Sequence, residues 1–507
     1  MEQITDSRAP VPTAQWATPL AVLVAGALLV GCGSSGSTEA HRPAPPTAST
    51  IGGELSISID GSMRDWRDDI VAIADARYLY LRFAPGLDHP IQNAPISTHV
   101  LLDLDDDRST GVAEDTAMRF GLGVDLELRF SPHIGEDASR GGVEVWRVGE
   151  NREREQIGHD AVGLIAAPTV ATEWYELRID RVKLAESVGA PAEASSGRAV
   201  FALTEPDGDG GAKLIGWSEP VAITAPARAD SPARAAVQIP AKPEGAVRVV
   251  SWNVLRGAPM KDTGGFAGVL DVLEPDIVLV QEWDGADDES LASWFNALVP
   301  GSSPWNARTG AGWGVGVVAR HPILPMGPVH MQEPGRDGAM RYLGAMVATP
   351  HARVAAASVH LKCCGTAGSE EDRRRSLQAE IMREQFASDA VDADIAVIGG
   401  DLNLVGSRQP LSVMVDGADL DGSDLTVAQP GVLGDRANYT WRDGPSRFGP
   451  GRLDYLMYSD AGAELVNAFV LDLERFDDGS LARAGLYRAD TSSSDHLPLV
   501  IDLMPSD

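Results

Sequence analysis

The first half of the chain alternates apolar and polar positions at a period of two residues. The runs that show this most clearly cover residues 55–59, 78–83, 99–103, 126–130 and 174–179. Glycine, aspartate and proline residues stand between them. Because successive side chains of a strand point to opposite faces, this alternation predicts strands with one buried face. Strands at this density, separated by turn residues, predict an antiparallel β-sandwich domain over residues 51–226.

In the second half, the pattern changes to short runs that are almost entirely apolar. Strands are predicted at residues 248–254, 277–282, 314–319, 343–349, 354–361 and 395–398. Uniformly apolar strands are typical of sheets covered on both faces. Longer segments with helical periodicity lie between these runs, so the sequence predicts an α/β domain over residues 247–507.

The helices of this second domain are predicted from apolar positions spaced three or four residues apart. One covers residues 266–273, and a second covers 289–299 with Leu291, Trp294 and Leu298 on its buried face. A third begins after Ser369, where S-E-E-D is typical of a capping box, and continues to about residue 388 with Leu377 and Ile381 facing inward.

Two further segments have the composition of connectors and targeting signals. Residues 227–246 are rich in proline and alanine without an apolar period, which predicts a linker between the domains. Near the start, residues 17–31 form an apolar run that is shorter than the roughly 20 residues needed to span a bilayer. This run is typical of the core of a signal peptide.

The signal-peptide run ends in L-V-G-C, with the cysteine at Cys32. This resembles a bacterial lipobox, in which the cysteine becomes the lipid-modified first residue of the mature protein. The resemblance implies a signal peptide over 1–32, a flexible tether over 33–50, and an exported protein anchored to the bacterial cell envelope through a lipid in the membrane. An uncleaved anchor helix is the alternative.

Charge narrows the range of partners. The 507 residues carry a formal net charge of -31, and the balance over residues 247–507 is -16. Only two lysines, Lys261 and Lys362, lie in that second half. Since sequence-independent binding to nucleic acid or anionic membrane requires a positive surface, the composition argues against a broad basic clamp.

Polar residues recur where the predicted strands of the second half end. The stretch I-G-G-D-L-N-L places Asp401 and Asn403 two residues apart, so in extended backbone their side chains share a face. A carboxylate can hold a metal ion or accept a proton from water, and an amide can donate to a phosphoryl oxygen without adding charge. Further polar residues at predicted strand ends are Asn253, Glu282, His360, Asp454, Asp495 and His496.

In this order, and with G-D-L-N and S-D-H-L-P as the most specific motifs, these residues resemble the endonuclease/exonuclease/phosphatase superfamily. The resemblance covers residues 247–503 and implies a four-layer α/β sandwich, two packed sheets flanked by helices. It also implies metal-assisted in-line hydrolysis of a phosphoester. It does not identify the substrate, which remains open between nucleic acid, a phospholipid and a small molecule.

The resemblance assigns a role to each strand-end residue. Asn253, Glu282 and Asp495 would surround Mg²⁺ or Mn²⁺, since such ions prefer hard oxygen ligands. Asp401 would orient or deprotonate the attacking water and Asn403 would hold a phosphoryl oxygen. His360, and His496 oriented by Asp454, would contact the phosphate and stabilise charge.

One feature departs from the deoxyribonuclease-like members. They pair the first histidine with a second glutamate, and residues 306–331 contain no identifiable partner for His360. Arg341 and Lys362 are predicted as phosphate-binding cations instead. Arg373, Arg374 and Arg375 are a further basic run, which is explained either by polyanion binding or by a solvated helix face.

The first domain offers ligand hypotheses but no catalytic constellation. The phrases I-D-G-S-M-R-D-W and D-A-R-Y-L-Y-L-R-F resemble the opening of modules related to family 9 carbohydrate-binding domains, which implies a glycan ligand. Trp66, Tyr78 and Tyr80 would form either a sugar-stacking face or part of the core. The dense carboxylates Asp103, Asp105, Asp106 and Asp107 would form either a Ca²⁺ site or an exposed acidic turn.

The remaining cysteines, Cys363 and Cys364, are adjacent, which leaves a vicinal disulfide and a pair of small buried apolar residues as alternatives.

Taken together, the sequence predicts an exported, surface-anchored, metal-dependent phosphoesterase that acts as a monomer on a phosphodiester or phosphomonoester, with a nuclease among the options. The competing hypothesis is a glycan-binding surface lipoprotein with a vestigial second domain.

Overall fold

The computed structural model describes residues 57–67, 71–111, 121–134, 138–139, 141–148, 153–188, 196–208, 211–228, 234–310 and 314–506. The predicted signal peptide, its Cys32 and the tether lie outside these ranges. Within the described ranges, helices that are both long and apolar enough to cross a membrane are absent.

The N-terminal domain consists of two antiparallel sheets. Sheet 1 has the spatial order Ala72–Ala74, Tyr78–Phe83, Tyr175–Asp180 and Ile165–Ala167. Sheet 2 has the order Ala212–Trp217, Ser196–Pro206, Ser97–Asp103, Leu126–Phe130, Val143–Val148 and Arg154–Ile157, with Val221–Thr224 also paired to Ser196–Pro206. A separate hairpin joins His133–Ile134 to Ala138–Ser139. The predicted β-rich first domain is therefore confirmed.

The core of this domain forms where the apolar faces of the two sheets meet. Leu81 and Leu177 of sheet 1 pack in one buried cluster with Leu102 and Leu128 of sheet 2. The predicted first strand at 55–59 is wrong over its described part. There, Ile59 forms only an isolated bridge to Ala437 of the C-terminal domain.

The three aromatic residues considered for sugar stacking are buried. Trp66, Tyr78 and Tyr80 are 5%, 7% and 0% exposed. A ring without an accessible face cannot stack on a sugar, so the sugar-stacking hypothesis is wrong for these residues and the core alternative is correct.

The C-terminal domain contains two seven-stranded mixed sheets. Sheet 3 has the order Asn306–Thr309, Gly316–Ala319, Ile277–Gln281, Val247–Asn253, Leu499–Pro505, Ala463–Val470 and Gly431–Val432. Sheet 4 has the order Ile323–Met326, Ala339–Ala348, Arg353–His360, Ile395–Asp401, Asp454–Tyr458 and Thr426–Val427, with Met331–Gln332 paired to Ala339–Ala348. Apolar residues of both sheets share one buried cluster, so the predicted α/β sandwich is confirmed.

Helices of the C-terminal domain pack on the outer faces of its sheets: Met382 and Phe386 share a buried cluster with Ile398 of sheet 4, and Phe266 shares one with Val250 of sheet 3. The α-helices of the described chain are Arg181–Val188, Thr263–Leu273, Asp288–Leu298, Glu370–Asp389, Gln409–Val415 and Asp478–Ala484. Short 3-10 helices cover Met63–Asp65, His159–Val162, Ala258–Met260, Leu473–Arg475 and Arg488–Ser492.

Two predicted inward-facing leucines are wrong. Leu298 and Leu377 are 36% and 39% exposed. On helix Glu370–Asp389 the buried stripe instead runs through Ala379, Met382 and Phe386, which recur at three- and four-residue spacing. Arg375 and Gln378 also belong to this buried face, and Leu377, two residues from both Arg375 and Ala379, lies on another face of the helix. The predicted cap is present in that the Ser369 side chain accepts a hydrogen bond from the Asp372 amide.

The two domains pack directly against each other. Tyr80 of sheet 1 belongs to the same buried cluster as residues of sheets 3 and 4. Arg178 of sheet 1 forms an ion pair with Asp435 of the C-terminal domain at 2.6 Å, and both side chains are only 1% exposed. The predicted linker also contacts this domain, since the amide of Ala235 donates to the carbonyl of Arg475. The two domains therefore share a buried interface that contains an ion pair.

Candidate active site

Strand register brings the polar strand ends together. In sheet 3 the parallel strands Val247–Asn253 and Ile277–Gln281 end side by side, with Asn253 opposite Gln281 and Glu282 next in the chain. In sheet 4, His360 pairs with Asp401, and Asp401 pairs with Asp454. Because the two sheets pack face to face, these ends meet between them. The clearest link is Asn253 Nδ2, which donates to Asp401 Oδ2 at 3.1 Å.

Asp401 lies at the centre of this cluster and is 2% exposed. Its Oδ1 accepts the amide of Asn403 at 2.9 Å, and its Oδ2 accepts Asn403 Nδ2 at 3.1 Å. Burial raises the pKa of Asp401 to about 7, with the charge of His496 acting in the opposite direction and that of Asp454 adding to the rise. A carboxylate whose pKa lies near neutrality is suited to accept and release a proton.

His496 is held between two carboxylates. Its Nδ1 lies 2.8 Å from Asp454 Oδ2, and its Nε2 lies 3.7 Å from Asp401 Oδ2. Burial alone would lower the pKa of His496, but Asp454 and Asp401 outweigh it and raise the pKa to about 10. Thr440 fixes the orienting carboxylate because its hydroxyl donates to Asp454 Oδ2 at 2.6 Å. The imidazole is therefore a cation at neutral pH.

His360 has a different environment. Its Nε2 lies 3.5 Å from Asp401 Oδ2, and Nη1 of Arg341 lies 3.0 Å from its Nδ1. Burial, Arg341 and His496 hold the pKa of His360 well below its usual range. Its only described carboxylate neighbour within ion-pair distance is Asp401, so the structure places an arginine beside the ring. Of the two predicted phosphate-binding cations, Arg341 reaches the cluster, whereas the ammonium of Lys362 lies against Cys363 at 3.5 Å.

The two asparagines act as positioning residues in this arrangement. Asn403 adopts a left-handed backbone with φ of 49°, which turns its side chain back towards the strand end. Its Nδ2 donates to the carbonyl of Leu361 at 3.2 Å as well as to Asp401. Asn253 Nδ2 bridges Asp401 and Glu282, and lies 3.2 Å from Glu282 Oε1. The amide that was expected to hold a phosphoryl oxygen therefore holds Asp401 here.

Of the three predicted metal ligands, two are joined by a hydrogen bond, and the third precedes His496 in the chain. Glu282 and Asn253 are hydrogen-bonded, and Glu282 follows its strand in a left-handed conformation with φ of 58°. Asp495 is the chain neighbour of His496. Its Oδ2 accepts a hydrogen bond from Trp441 Nε1 at 2.8 Å. Its Oδ1 is buried without a hydrogen-bond partner in the described chain. A buried carboxylate oxygen without a hydrogen-bond partner fits a bound divalent cation.

A second set of potential metal ligands consists of buried residues. Asp401, Asp454 and His496 each place a ligand atom within 4.8 Å of the others, and all three are buried. Asp454 Oδ1 is also buried without a hydrogen-bond partner among the described residues. In this set His496 Nδ1 is already paired with Asp454 Oδ2 at 2.8 Å.

Several residues that support the site cannot be recognised from the sequence pattern. Thr440 and Trp441 lie outside any regular strand, in N-Y-T-W-R, and only the fold brings them to Asp454 and Asp495. Arg375 is fully buried and donates to the carbonyls of Lys362 and Cys364 at 3.0 and 2.5 Å, which anchors the loop after His360. A buried arginine adds nothing to the apolar periodicity of its helix, so the sequence pattern does not mark it.

The structure shows the contacts of Arg374 and Arg375 in the basic run and of the paired cysteines. Arg374 binds Glu333 at 2.7 Å and Arg375 is buried, so neither is available to a polyanion. Cys363 and Cys364 are free and exposed, with their sulfur atoms 2.8 Å apart. Both predicted alternatives for the cysteines, a disulfide and buried apolar packing, are therefore wrong in this structure.

Comparison with known proteins agrees with this geometry. Residues 250–496 match the Endonuclease/Exonuclease/phosphatase family. These residues form an endonuclease/exonuclease/phosphatase domain. The predicted class of enzyme, a hydrolase of phosphoester bonds, is thereby confirmed at the level of the family. A search of curated proteins returned no match.

Solved structures similar to the endonuclease/exonuclease/phosphatase domain come from animals and bacteria. D. rerio TDP2 complexed with a single-strand DNA product is 18% identical, with a TM-score of 0.36, and covers 51% of this chain and 99% of its own. The 3'-5' exonuclease NExo from Neisseria meningitidis is 19% identical, with a TM-score of 0.35 and the same shares of the two chains. Beta toxin from Staphylococcus aureus is 16% identical, with a TM-score of 0.34, and covers 50% of this chain and 99% of its own.

Proposed function

We propose that this protein is a metal-dependent phosphoesterase whose reaction centre is the cluster around Asp401. The observation that carries the proposal is the convergence of a proton acceptor and a proton-bearing histidine. Asp401, with a pKa near neutrality, lies 3.7 Å from a histidine that Asp454 keeps protonated. A general base and a cationic group at this separation suit the attack of water on a phosphoryl group and the neutralisation of the charge that develops.

In the proposed hydrolysis, each side chain of the cluster has a distinct role. Asp401 accepts a proton from the attacking water, and the two asparagines hold its carboxylate in place through their Nδ2 donors. His496 Nε2 faces the reacting group and stabilises negative charge on the phosphoryl or leaving oxygen, since its Nδ1 is committed to Asp454. Arg341 adds a permanent positive charge beside His360.

A divalent cation, Mg²⁺ or Mn²⁺, would be held by Glu282 and Asp495 with the Asn253 oxygen nearby. When bound, it would supply Lewis-acid stabilisation of a phosphoryl oxygen. The fit rests on the orphaned Asp495 Oδ1 and on the all-oxygen donor set, which suits hard cations. Trp441 orients Asp495, so we expect Trp441→Phe to weaken metal affinity by about 10- to 100-fold, as is typical for residues that orient a ligand.

Contacts with the sandwich domain favour a compact substrate. Asn93 Nδ2 donates to the carbonyl of Gly365, in the loop after His360, at 2.6 Å. Gln92 Oε1 accepts the amide of Gly449, in the loop after Trp441, at 2.8 Å. The sandwich therefore braces two loops that flank the cluster. Together with the scarcity of lysine, this supports a small phosphodiester or phosphomonoester over duplex DNA.

Export and lipid anchoring through Cys32 remain proposals that rest on the sequence alone. Metabolic labelling with a radioactive fatty acid tests them in a bacterial host, with Cys32→Ser as the control. Label in the parent and not in the variant is expected. Equal label in both would overturn the anchor.

The phosphoesterase itself is tested by hydrolysis assays on the soluble protein from about residue 51. Bis-nitrophenyl phosphate, nitrophenyl phosphate, single-stranded and plasmid DNA, and sphingomyelin are each incubated with Mg²⁺, Mn²⁺ or a chelator. We expect metal-dependent turnover of at least one nitrophenyl ester, and its loss in Asp401→Ala.

A matched control is Asp421→Ala, which removes an exposed carboxylate whose Oδ1 accepts the amide of Ser423 in a turn. Activity should survive in this variant. Turnover that persists in Asp401→Ala, or that is indifferent to chelation, would contradict the mechanism. Silence of the folded parent on every substrate would favour the vestigial-domain hypothesis.

A further inference from the structure

The sandwich domain contains a group of carboxylates far along the chain from the reaction centre. Strand Ser97–Asp103 ends at Asp103, and Asp105 follows in the loop. Asp125 directly precedes the neighbouring strand Leu126–Phe130. Asp103, Asp105 and Asp125 each place a carboxylate oxygen within 4.8 Å of the others. Like charges at such distances repel unless a cation or a proton intervenes.

The buried member of the group has an oxygen without a partner. Asp103 is 0% exposed. Its Oδ2 accepts the amide of Gly123 at 3.2 Å and Nη2 of Arg198 at 3.0 Å. Its Oδ1 is equally buried and has no hydrogen-bond partner in the described part of the chain. Because a buried anionic oxygen without a donor is costly, this atom indicates a missing ligand that carries positive charge.

The available arginine does not neutralise the group. Arg198 is shared between Asp103 and Asp106, whose Oδ1 lies 2.5 Å from its Nε. Asp105 accepts hydrogen bonds from Thr110 and the amide of Asp107. Asp125 accepts one from the amide of Leu104 at 2.7 Å. These are neutral donors, and within the described residues neither Asp105 nor Asp125 forms an ion pair. The remaining negative charge is open to a cation.

We propose that Asp103, Asp105 and Asp125 bind a calcium ion in the sandwich domain. The donors are hard carboxylate oxygens, which Ca²⁺ prefers and which soft metals do not. Ligands from both ends of the connection between two neighbouring strands would tie these strands together. The bound ion therefore stabilises sheet 2, and the site is independent of the proposed phosphoesterase activity.

The test separates this site from the reaction centre by using Glu282→Gln as the background, which removes a proposed ligand of the catalytic metal. Calcium chloride is titrated calorimetrically into this variant after treatment with a chelator. Thermal unfolding is then followed with Ca²⁺ or with the chelator. We expect binding of one ion per chain and a higher Tm with Ca²⁺, since an ion that binds only the folded state stabilises it.

Adding Asp105→Asn or Asp125→Asn to this background should weaken calcium binding at least tenfold and abolish the shift in Tm. Asp105 is half-buried and at a loop, so its substitution leaves the core intact even if that of Asp125 disturbs folding. Asp421→Asn, an exposed aspartate of the other domain, is the control and should bind as the background does. The proposal is overturned if the background does not bind Ca²⁺, or if Asp105→Asn binds it with unchanged affinity.

Discussion

The contact between the domains can be tested by removing Arg178, which lies in sheet 1 and is 1% exposed. Its guanidinium pairs with Asp435 at 2.6 Å and lies 4.2 Å from the centroid of the Tyr78 ring. In Arg178→Met, the negative charge of Asp435 stays buried, and of its two arginine partners only Arg475 remains. Breaking a buried pair by removing one partner costs about 3–5 kcal/mol. Arg475 Nε remains 3.1 Å from Asp435, so we expect a loss near the lower limit, about 3 kcal/mol.

Urea unfolding of the soluble protein, followed by tryptophan fluorescence, measures this loss. With a slope of about 3 kcal/mol per molar, the midpoint should fall by about 1 M. Arg178→Met combined with Asp435→Leu should recover much of the loss, because the uncompensated charge is then absent. Lys213→Met removes an exposed pair with Glu205 and should leave the midpoint unchanged.

The same pair sets a pH dependence. Burial would raise the pKa of Asp435, but Arg178 and Arg475 outweigh it and hold that pKa far below its usual range. The stabilisation is therefore complete above the pKa of an unfolded aspartate, about 4, and is lost as the pH falls below it. The difference between parent and Arg178→Met should shrink in that acidic range. A loss below about 1 kcal/mol at neutral pH would refute the buried contact.

Four further predictions concern the reaction centre and the strand that carries it. Asp401→Asn should lower kcat by about 10²- to 10⁴-fold on bis-nitrophenyl phosphate, and an unchanged kcat would exclude the base role. The pH–rate profile should rise near pH 7 as Asp401 loses its proton and fall near pH 10 as His496 loses its own. In Asp454→Asn the alkaline limb should move to lower pH, because the carboxylate that raises the histidine's pKa is gone; an unmoved limb would contradict the assignment. Gly400→Ala should unfold or strongly destabilise the protein, since its φ is +145° and a Cβ would lie 2.0 Å from a backbone oxygen of the adjacent strand. Gly431→Ala, where a Cβ meets open space, is the control, and equal thermal stability of the two variants would show the clash to be absent.

The hydrophobic periodicity and local motifs of the sequence were sufficient to predict most of the architecture. Alternation at a period of two predicted the antiparallel sandwich, because a strand with one buried face records that face in its sequence. Uniform apolar runs predicted the strands of sheets 3 and 4. Asp401 and His496 were identifiable because a polar residue that ends a buried strand stands out against its apolar surroundings.

Long-range contacts could not be predicted in this way. Thr440 and Trp441 act on Asp454 and Asp495 through chain segments that only the fold brings together. Leu377 was misplaced because helix Glu370–Asp389 has a buried face occupied partly by arginine, glutamine and alanine, so its apolar residues do not mark that face.

The sequence by itself determined the secondary-structure classes, the two-domain order and the chemical inventory of the reaction centre, since these depend on residue type and spacing. Only the tertiary structure decided that Asn403 holds Asp401, that His360 lies between Arg341 and Asp401, and that the sandwich is packed against the second domain. These features depend on distances between residues far apart in the chain. Hydrogen-bond geometry and the electrostatics of buried charges are properties of such distances, and spacing along the chain does not encode them.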